Sequence, residues 1–165
     1  EVATQHAIRD GLDARIVRPF NAYGPKLLGD EYGQVVAIFF QSILENGAIT
    51  LHGDGSQTRS FTWIDDVTEG FIKAASDKAQ SGDVFNIGSQ QEVSIAQLQQ
   101  MIFSIVSEDD NWFGGLPPVI MGEGYHGDSV RRLPDISNNI KIDWKAKVSL
   151  NQGLQLMWDS IKTID

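Results

Sequence analysis

Short β-branched runs alternate with longer segments whose apolar side chains recur at helical spacing, and no other feature of this chain constrains its fold as tightly. Strands are predicted at residues 14–18, 49–52, 60–64 and 84–88. Between and after them lie amphipathic stretches, one carrying Val36, Phe39, Phe40, Ile43 and Leu44, another Ile95, Leu98, Met101, Ile102 and Ile105. Apolar residues at i, i+3 and i+4 build one face of a helix, whereas alternation over four or five residues builds a half-buried strand. Strands alternating with helices imply α/β packing with at least some parallel strands.

Turn and cap residues punctuate this pattern. Gly11 stops a first helix at residues 2–10, and Gly47 closes the one predicted over 34–46. Ser94-Ile95-Ala96-Gln97 is a capping box. Asp65 or Asp66 is expected to cap a helix running to about residue 76. A last helix starts near Asn151 and carries Leu154, Met157, Trp158, Ile161 and Ile164 on one face. Residues 19–33, 107–116 and 122–134 read as loop, with a short strand at 118–121. There is no repeat, low-complexity tract or obvious interior linker, and 165 residues suffice for one compact domain with a real core. The opening helix and strand suggest a sheet already under way before residue 1.

Composition excludes several classes. A net charge of −9 makes the chain a poor partner for nucleic acid, whose binding relies on lysine and arginine. No run is long and apolar enough to span a membrane. With no cysteine there is no disulfide, thiolate nucleophile or cysteine-based zinc site, which fits a reducing compartment such as the cytoplasm. His6, His52 and His126 share no metal-like spacing. Asp65-Asp66 reads as a helix cap, Glu108-Asp109-Asp110 as a solvated loop, and the four tryptophans as core or covering aromatics.

Three segments carry chemistry. Gly53-Asp54-Gly55-Ser56-Gln57-Thr58-Arg59 is a tight turn followed by a guanidinium, whose fixed fork of donors suits phosphate oxygens. Upstream, Arg18-Pro19-Phe20-Asn21-Ala22-Tyr23-Gly24-Pro25 runs from a strand into a turn, and Asn21 lies where open parallel sheets bind ligands. Downstream comes Arg131-Arg132-Leu133-Pro134-Asp135. Without further context each could be ordinary: a loop cap, an idle turn, solvated charge. A literal Gly-x-Gly-x-x-Gly at 122–127 is discounted as a dinucleotide turn, because Pro134 follows closely where a helix would have to grow.

In this order the three segments resemble the sugar-nucleotide-binding half of the extended short-chain dehydrogenase/reductases, the NAD-dependent nucleotide-sugar epimerases, dehydratases and UDP-glucuronate decarboxylases. The resemblance runs from residue 1 to about 158. It implies the C-terminal part of a Rossmann-type fold interleaved with a smaller substrate-binding domain, as one unit over residues 1–165. It further implies a UDP-linked sugar as ligand, NAD as cofactor, transient oxidation at sugar C4, and a homodimer at full length. On the matching positions, Arg59 with Arg132 or its neighbour Arg131 meets the diphosphate, with Arg132 preferred. Asn21 touches the sugar or phosphate, Leu51 and His52 lie against the base, and Val35 opens a helix that closes over the ligand. Phe20 and Ala22 run beside the nicotinamide. Such enzymes also carry a Gly-x-x-Gly-x-x-Gly turn and a catalytic Tyr-x-x-x-Lys pair; no Tyr here is followed four positions later by Lys. By resemblance, then, this stretch alone is inactive and its catalytic pair lies upstream.

Departures from the family pattern are few. Tyr is frequent where this chain has His52, and the insertion-like residues 26–32 depart from the decarboxylase pattern. Two other readings stay open: a non-catalytic sugar-nucleotide-binding or scaffolding domain, and a reductase of the same fold with a non-nucleotide substrate.

Overall fold

A computed structural model describes residues 2–27, 29, 34–124, 127 and 129–162. In chain order the elements are α1 (Val2–Asp10), β1 (Ile16–Pro19), β2 (Ala22–Tyr23), α2 (Val35–Leu44), β3 (Ile49–His52), β4 (Thr58–Ser60), β5 (Thr62–Trp63), α3 (Ile64–Ala74), β6 (Val84–Ile87), β7 (Glu92–Ser94), α4 (Ile95–Ser107), β8 (Val119–Gly122), β9 (Arg131–Arg132), a 3₁₀ segment (Ser137–Ile142) and α5 (Leu150–Ile161). β1 pairs parallel with β6, β2 with β5 and β3 with β8; β4 runs antiparallel to β7 on one side and parallel to β9 on the other. The α/β class with parallel pairing expected from the alternation is what the chain adopts.

Two cores hold these pieces. The larger draws Phe39, Phe40 and Ile43 from α2, Ile49 and Leu51 from β3, Leu98 and Ile102 from α4, and Leu154, Met157 and Trp158 from α5. Phe40 stacks on Trp158 at 5.9 Å and Trp112 meets Trp158 edge-on at 5.2 Å, so α5 seals the gap between α2 and the end of α4. The smaller core lies under β1 and β6, where Val67 and Ala74 of α3 meet Phe85, Ile87, Ile142 and Trp144. Each fully buried large side chain stabilises by roughly 1.5–3 kcal/mol, which explains why the apolar stripes read from the sequence became the helix faces.

The structure corrects four expectations. Residues 19–33 are not all loop, since β2 forms within them; nor is 60–64 one strand, because the chain leaves β4 at the buried Phe61 and joins a different sheet as β5. Asp65 and Asp66 do not cap α3. Trp63 holds the cap position without a side-chain bond, and both aspartates sit in the first turn. Asp65 accepts from the Trp63 indole at 3.0 Å, and buried Asp66 accepts the backbone N–H groups of Lys147 and Val148, each at 2.9 Å. Finally, Arg131 and Arg132 form a strand rather than irregular chain, because the open edge of β4 offers them a partner. Ile164, Tyr125, His126 and much of the 26–32 segment lie outside the described residues.

Candidate functional site

β1 and β6 run parallel and finish together at Pro19 and Ile87. Just beyond, the chain turns sharply. The Phe20 N–H donates to Ile87 O at 2.9 Å, and Asn21 adopts a left-handed φ of 39°, a conformation asparagine tolerates better than most residues. Its amide Nδ2 donates to Ser60 O at 2.7 Å, while its carbonyl accepts the Thr62 N–H at 3.1 Å. Asn21 is thereby fastened to the strand that carries Arg59. Ser60 itself is buried, and its hydroxyl oxygen has no partner among the described residues. Sequence reasoning passed over Ser60, and a serine between two better-known residues gives no local signal that would have found it.

The glycine turn is built as its sequence suggests. Gly53 and Gly55 both take positive φ, 67° and 70°, which L side chains rarely adopt. Asp54 accepts the Ser56 N–H at 2.9 Å, and Gln57 Nε2 returns to His52 O at 3.1 Å. The turn is also docked on α4: Ala96 N–H donates to Gly55 O at 3.0 Å and Ile95 N–H to Gln57 O at 3.1 Å.

Beyond the turn lie the arginines. Arg59 is the centre of the three-stranded sheet, in register with Val93 on β7 and Arg132 on β9. Register partners project to the same face of a sheet and their neighbours in sequence to the other. Arg59 and Arg132 therefore share a face, while Thr58, Glu92 and Arg131 share the opposite one. Contacts agree with that alternation: the Arg131 guanidinium makes a fork onto Glu92, at 2.8, 3.1 and 2.8 Å, and Thr58 Oγ1 donates to the same carboxylate at 2.5 Å. These bonds hold the Glu92 carboxyl down at about 2, Arg131 contributing most and Thr58 next. Arg59 is buried, with one guanidinium N–H on Thr58 O at 2.8 Å; Arg132 is exposed.

A small cleft of about 180 Å³ adjoins this sheet, lined by His52, Gly53, Ser56, Gln57, Gly124, Ser129 and Val130. Pockets that enclose a whole small molecule run to about 300–1,000 Å³, so this one fits a single part of a larger ligand. His52 lies in its wall, its ring Nδ1 set by the Glu123 carbonyl at 3.0 Å. The Leu51 side chain, next to His52 on β3, is buried in the larger core and does not line the cleft. Val35 is half-buried at the first turn of α2, whose cap residue Gln34 makes no side-chain cap bond.

The buried Tyr23 phenol donates to Leu150 O at 3.3 Å, and burial, reinforced by the charge of Asp66, pushes its ionisation well above the usual tyrosine range. No cluster of three metal-ligating side chains occurs among the described residues, and none of their helices is long and apolar enough to cross a membrane. The 122–127 glycine segment, part of which is outside the described residues, leads to β9 and not to a helix. At the expected cofactor-flanking positions, both backbone groups of Phe20 are taken, by Ile87 O and by the Thr62 hydroxyl at 3.0 Å. Phe20 and Ala22 are both half-buried, Ala22 packing against the smaller core.

Fold and site together define a parallel-stranded α/β unit with an asparagine at its strand ends and two arginines in register beside a narrow cleft. The profile of the NAD dependent epimerase/dehydratase family matches residues 1–88, more than half of the sequence, and the chain belongs to that family. It is 40% identical to a UDP-N-acetyl-alpha-D-glucosaminuronate decarboxylase of Bacillus cytotoxicus, over 88% of this chain and 45% of that protein. It is 33% identical to UDP-glucuronic acid decarboxylase 6 of Arabidopsis thaliana, over 92% and 42%. Among solved structures it superposes on UDP-glucuronic acid 4-epimerase from Bacillus cereus, in complex with UDP-glucuronic acid and NAD, with a TM-score of 0.84 at 28% identity, covering 98% of this chain and 49% of that one. The chain thus spans less than half the length of these curated relatives.

Proposed function

We propose that this chain is the sugar-nucleotide-binding portion of an NAD-dependent enzyme acting on a UDP-linked sugar acid, as a decarboxylase or a 4-epimerase. The observation that carries the reading is the register of Arg59 with Arg132, two guanidinium-bearing residues on one face of a sheet beside a cleft. Arginine's planar fork suits diphosphate oxygens, and the cleft lined by His52 would take the flat base. Asn21, at the ends of β1 and β6, would meet the sugar or the adjoining phosphate. Both curated relatives described above act on UDP-linked sugar acids by name, which favours that substrate class.

In this reading residues 1–165 combine the last Rossmann elements, α1, β1, α3 and β6, with the substrate-binding domain. Among the described residues β1 has one hydrogen-bonded neighbour, β6, so its other edge is where strands of a cofactor-binding half would add. NAD, when bound, supplies the hydride acceptor for oxidation at sugar C4, and Phe20 and Ala22 would flank it. The residues of this chain do the holding: the diphosphate clamp fixes the sugar relative to the reacting centre, so that remote binding energy becomes positioning. The tyrosine–lysine pair would come from the cofactor-binding half. The same reading makes the full-length protein a cytoplasmic homodimer.

The test uses full-length protein with UDP-glucuronic acid and NAD, followed by NMR and carbon dioxide release. A UDP-pentose with one carbon fewer identifies the decarboxylase, and a C4 epimer without carbon dioxide identifies the epimerase. Charge-assisted hydrogen bonds contribute about 1.5–3 kcal/mol each, so Arg59→Ala should raise KM roughly ten- to a hundredfold and change kcat less. Wild-type affinity in that variant would overturn the clamp.

A further inference from the structure

We infer that Glu92 is a positioning residue: by gripping Arg131 from the far face of the sheet, it holds β9 in the register that sets Arg132 beside Arg59. The inference rests on the clamp reading above and assigns the two adjacent arginines different tasks, Arg131 as anchor and Arg132 as ligand arm.

The chain around β9 is tied down on both sides: before it the Thr58 N–H donates to Val130 O at 2.8 Å, and after it Pro134 O and Asp135 O accept the side-chain amides of Gln90 and Asn86 at 2.9 and 2.8 Å. The strand itself is two residues long and, among the described residues, pairs with β4 alone. Two register pairs, Thr58↔Arg131 and Arg59↔Arg132, set its alignment on β4. In so short a strand a one-residue slip would turn every side chain to the opposite face, putting Arg131 beside Arg59 and Arg132 away from it. What distinguishes the observed register is the opposite face, where Glu92 on β7 reaches across β4 to Arg131 on β9. The carboxylate takes the guanidinium by two N–H groups and, at its inner edge, the Thr58 hydroxyl of the intervening strand. One side chain thus ties three strands. Bidentate geometry supplies direction as well as attraction. The pair is partly exposed, with 25% and 63% of the side chains accessible, so its contribution to global stability is small and its effect falls on local register.

The experiment is UDP binding by calorimetry to full-length protein, comparing Glu92→Gln, Arg131→Met, Arg132→Met, Arg59→Met and the charge-swapped double variant Glu92→Arg/Arg131→Glu, each checked for an unchanged melting temperature. Glutamine keeps the Thr58 contact but loses the charged fork. Glu92→Gln and Arg131→Met should each weaken UDP about tenfold, less than Arg132→Met, and the swap should restore most of the loss, which a direct phosphate contact by Arg131 could not do. Wild-type affinity in Glu92→Gln, or loss in Arg131→Met with no rescue by the swap, overturns the anchoring role while leaving the clamp intact. If Arg59→Met and Arg132→Met both bind UDP normally, the clamp itself fails.

Discussion

Thr62 shows how much a single buried hydroxyl arranges at this site. It is 1% exposed, donates to Phe20 O at 3.0 Å and accepts the Ser89 N–H at 2.9 Å, while its own N–H meets Asn21 O at 3.1 Å. One residue therefore joins the chain leaving β1 to the chain leaving β6 and supports the left-handed Asn21 between them. Thr62→Val has nearly the same shape but takes their hydroxyl partner from a part-buried carbonyl and a buried N–H. Each such group costs about 1–3 kcal/mol, so denaturant unfolding should register a loss of about 2–4 kcal/mol, with Thr62→Ser losing much less. A valine variant as stable as the parent would mean that these groups find other partners. None of this was legible in the sequence, where Thr62 reads only as a β-branched strand residue; both of its hydroxyl's partners are brought to it by tertiary structure.

At the scale of elements, what could be read was what carries its own periodicity. The helix predicted over 34–46 forms as Val35–Leu44, the last helix begins at Leu150 against an expected 151, and the Ser94 capping box has both of its reciprocal bonds. Strands of two residues have no period to detect, so β2 and β9 were missed, and the sheet change at Phe61 was hidden inside what looked like one run. The site divided the same way: the arginines were visible as residue types, but their division between two faces came only from register. Close approach between elements was equally invisible. Gly153 faces the β2–β5 pair from within α5, and a Cβ there would lie 2.0 Å from the Tyr23 hydroxyl and 3.2 Å from the Trp63 ring. Alanine would improve helix propensity by about 1 kcal/mol, yet overpacking a rigid aromatic contact costs typically 1–3 kcal/mol. Tyr23 and Trp63 meet edge-on at 5.6 Å, and Tyr23 is held by Leu150 O, so neither ring can simply swing away. Gly153→Ala should lower the melting temperature; a rise would show that α5 can retreat without loss.

Across the whole molecule, the larger core depends on α5, and the far end of that helix is fastened by one carboxylate. Asp109, in the loop after α4, accepts from Lys162 Nζ and Trp158 Nε1, both at 2.8 Å, and from the Asn111 N–H at 3.0 Å. The Lys162 ammonium, then the Asn111 amide and the indole, hold the Asp109 carboxyl down at about 2. An aspartate in the unfolded chain titrates near 3.9. Because the folded value is the lower one, the unfolded state takes up the proton first as pH falls. The stabilisation is therefore complete above about pH 4 and is lost as pH falls toward about 2. Glu92, held near the same value by Arg131 and Thr58, adds to the acid limb of the full protein, so the contribution of Asp109 has to be isolated by difference. Asp109→Asn should be less stable than the parent at neutral pH, and the gap between their denaturant midpoints should close steadily between about pH 4 and pH 2. A gap that stays constant across that window would mean that the carboxylate's charge contributes nothing, and that α5 is held by the packing of its buried face, Leu154, Met157 and Trp158.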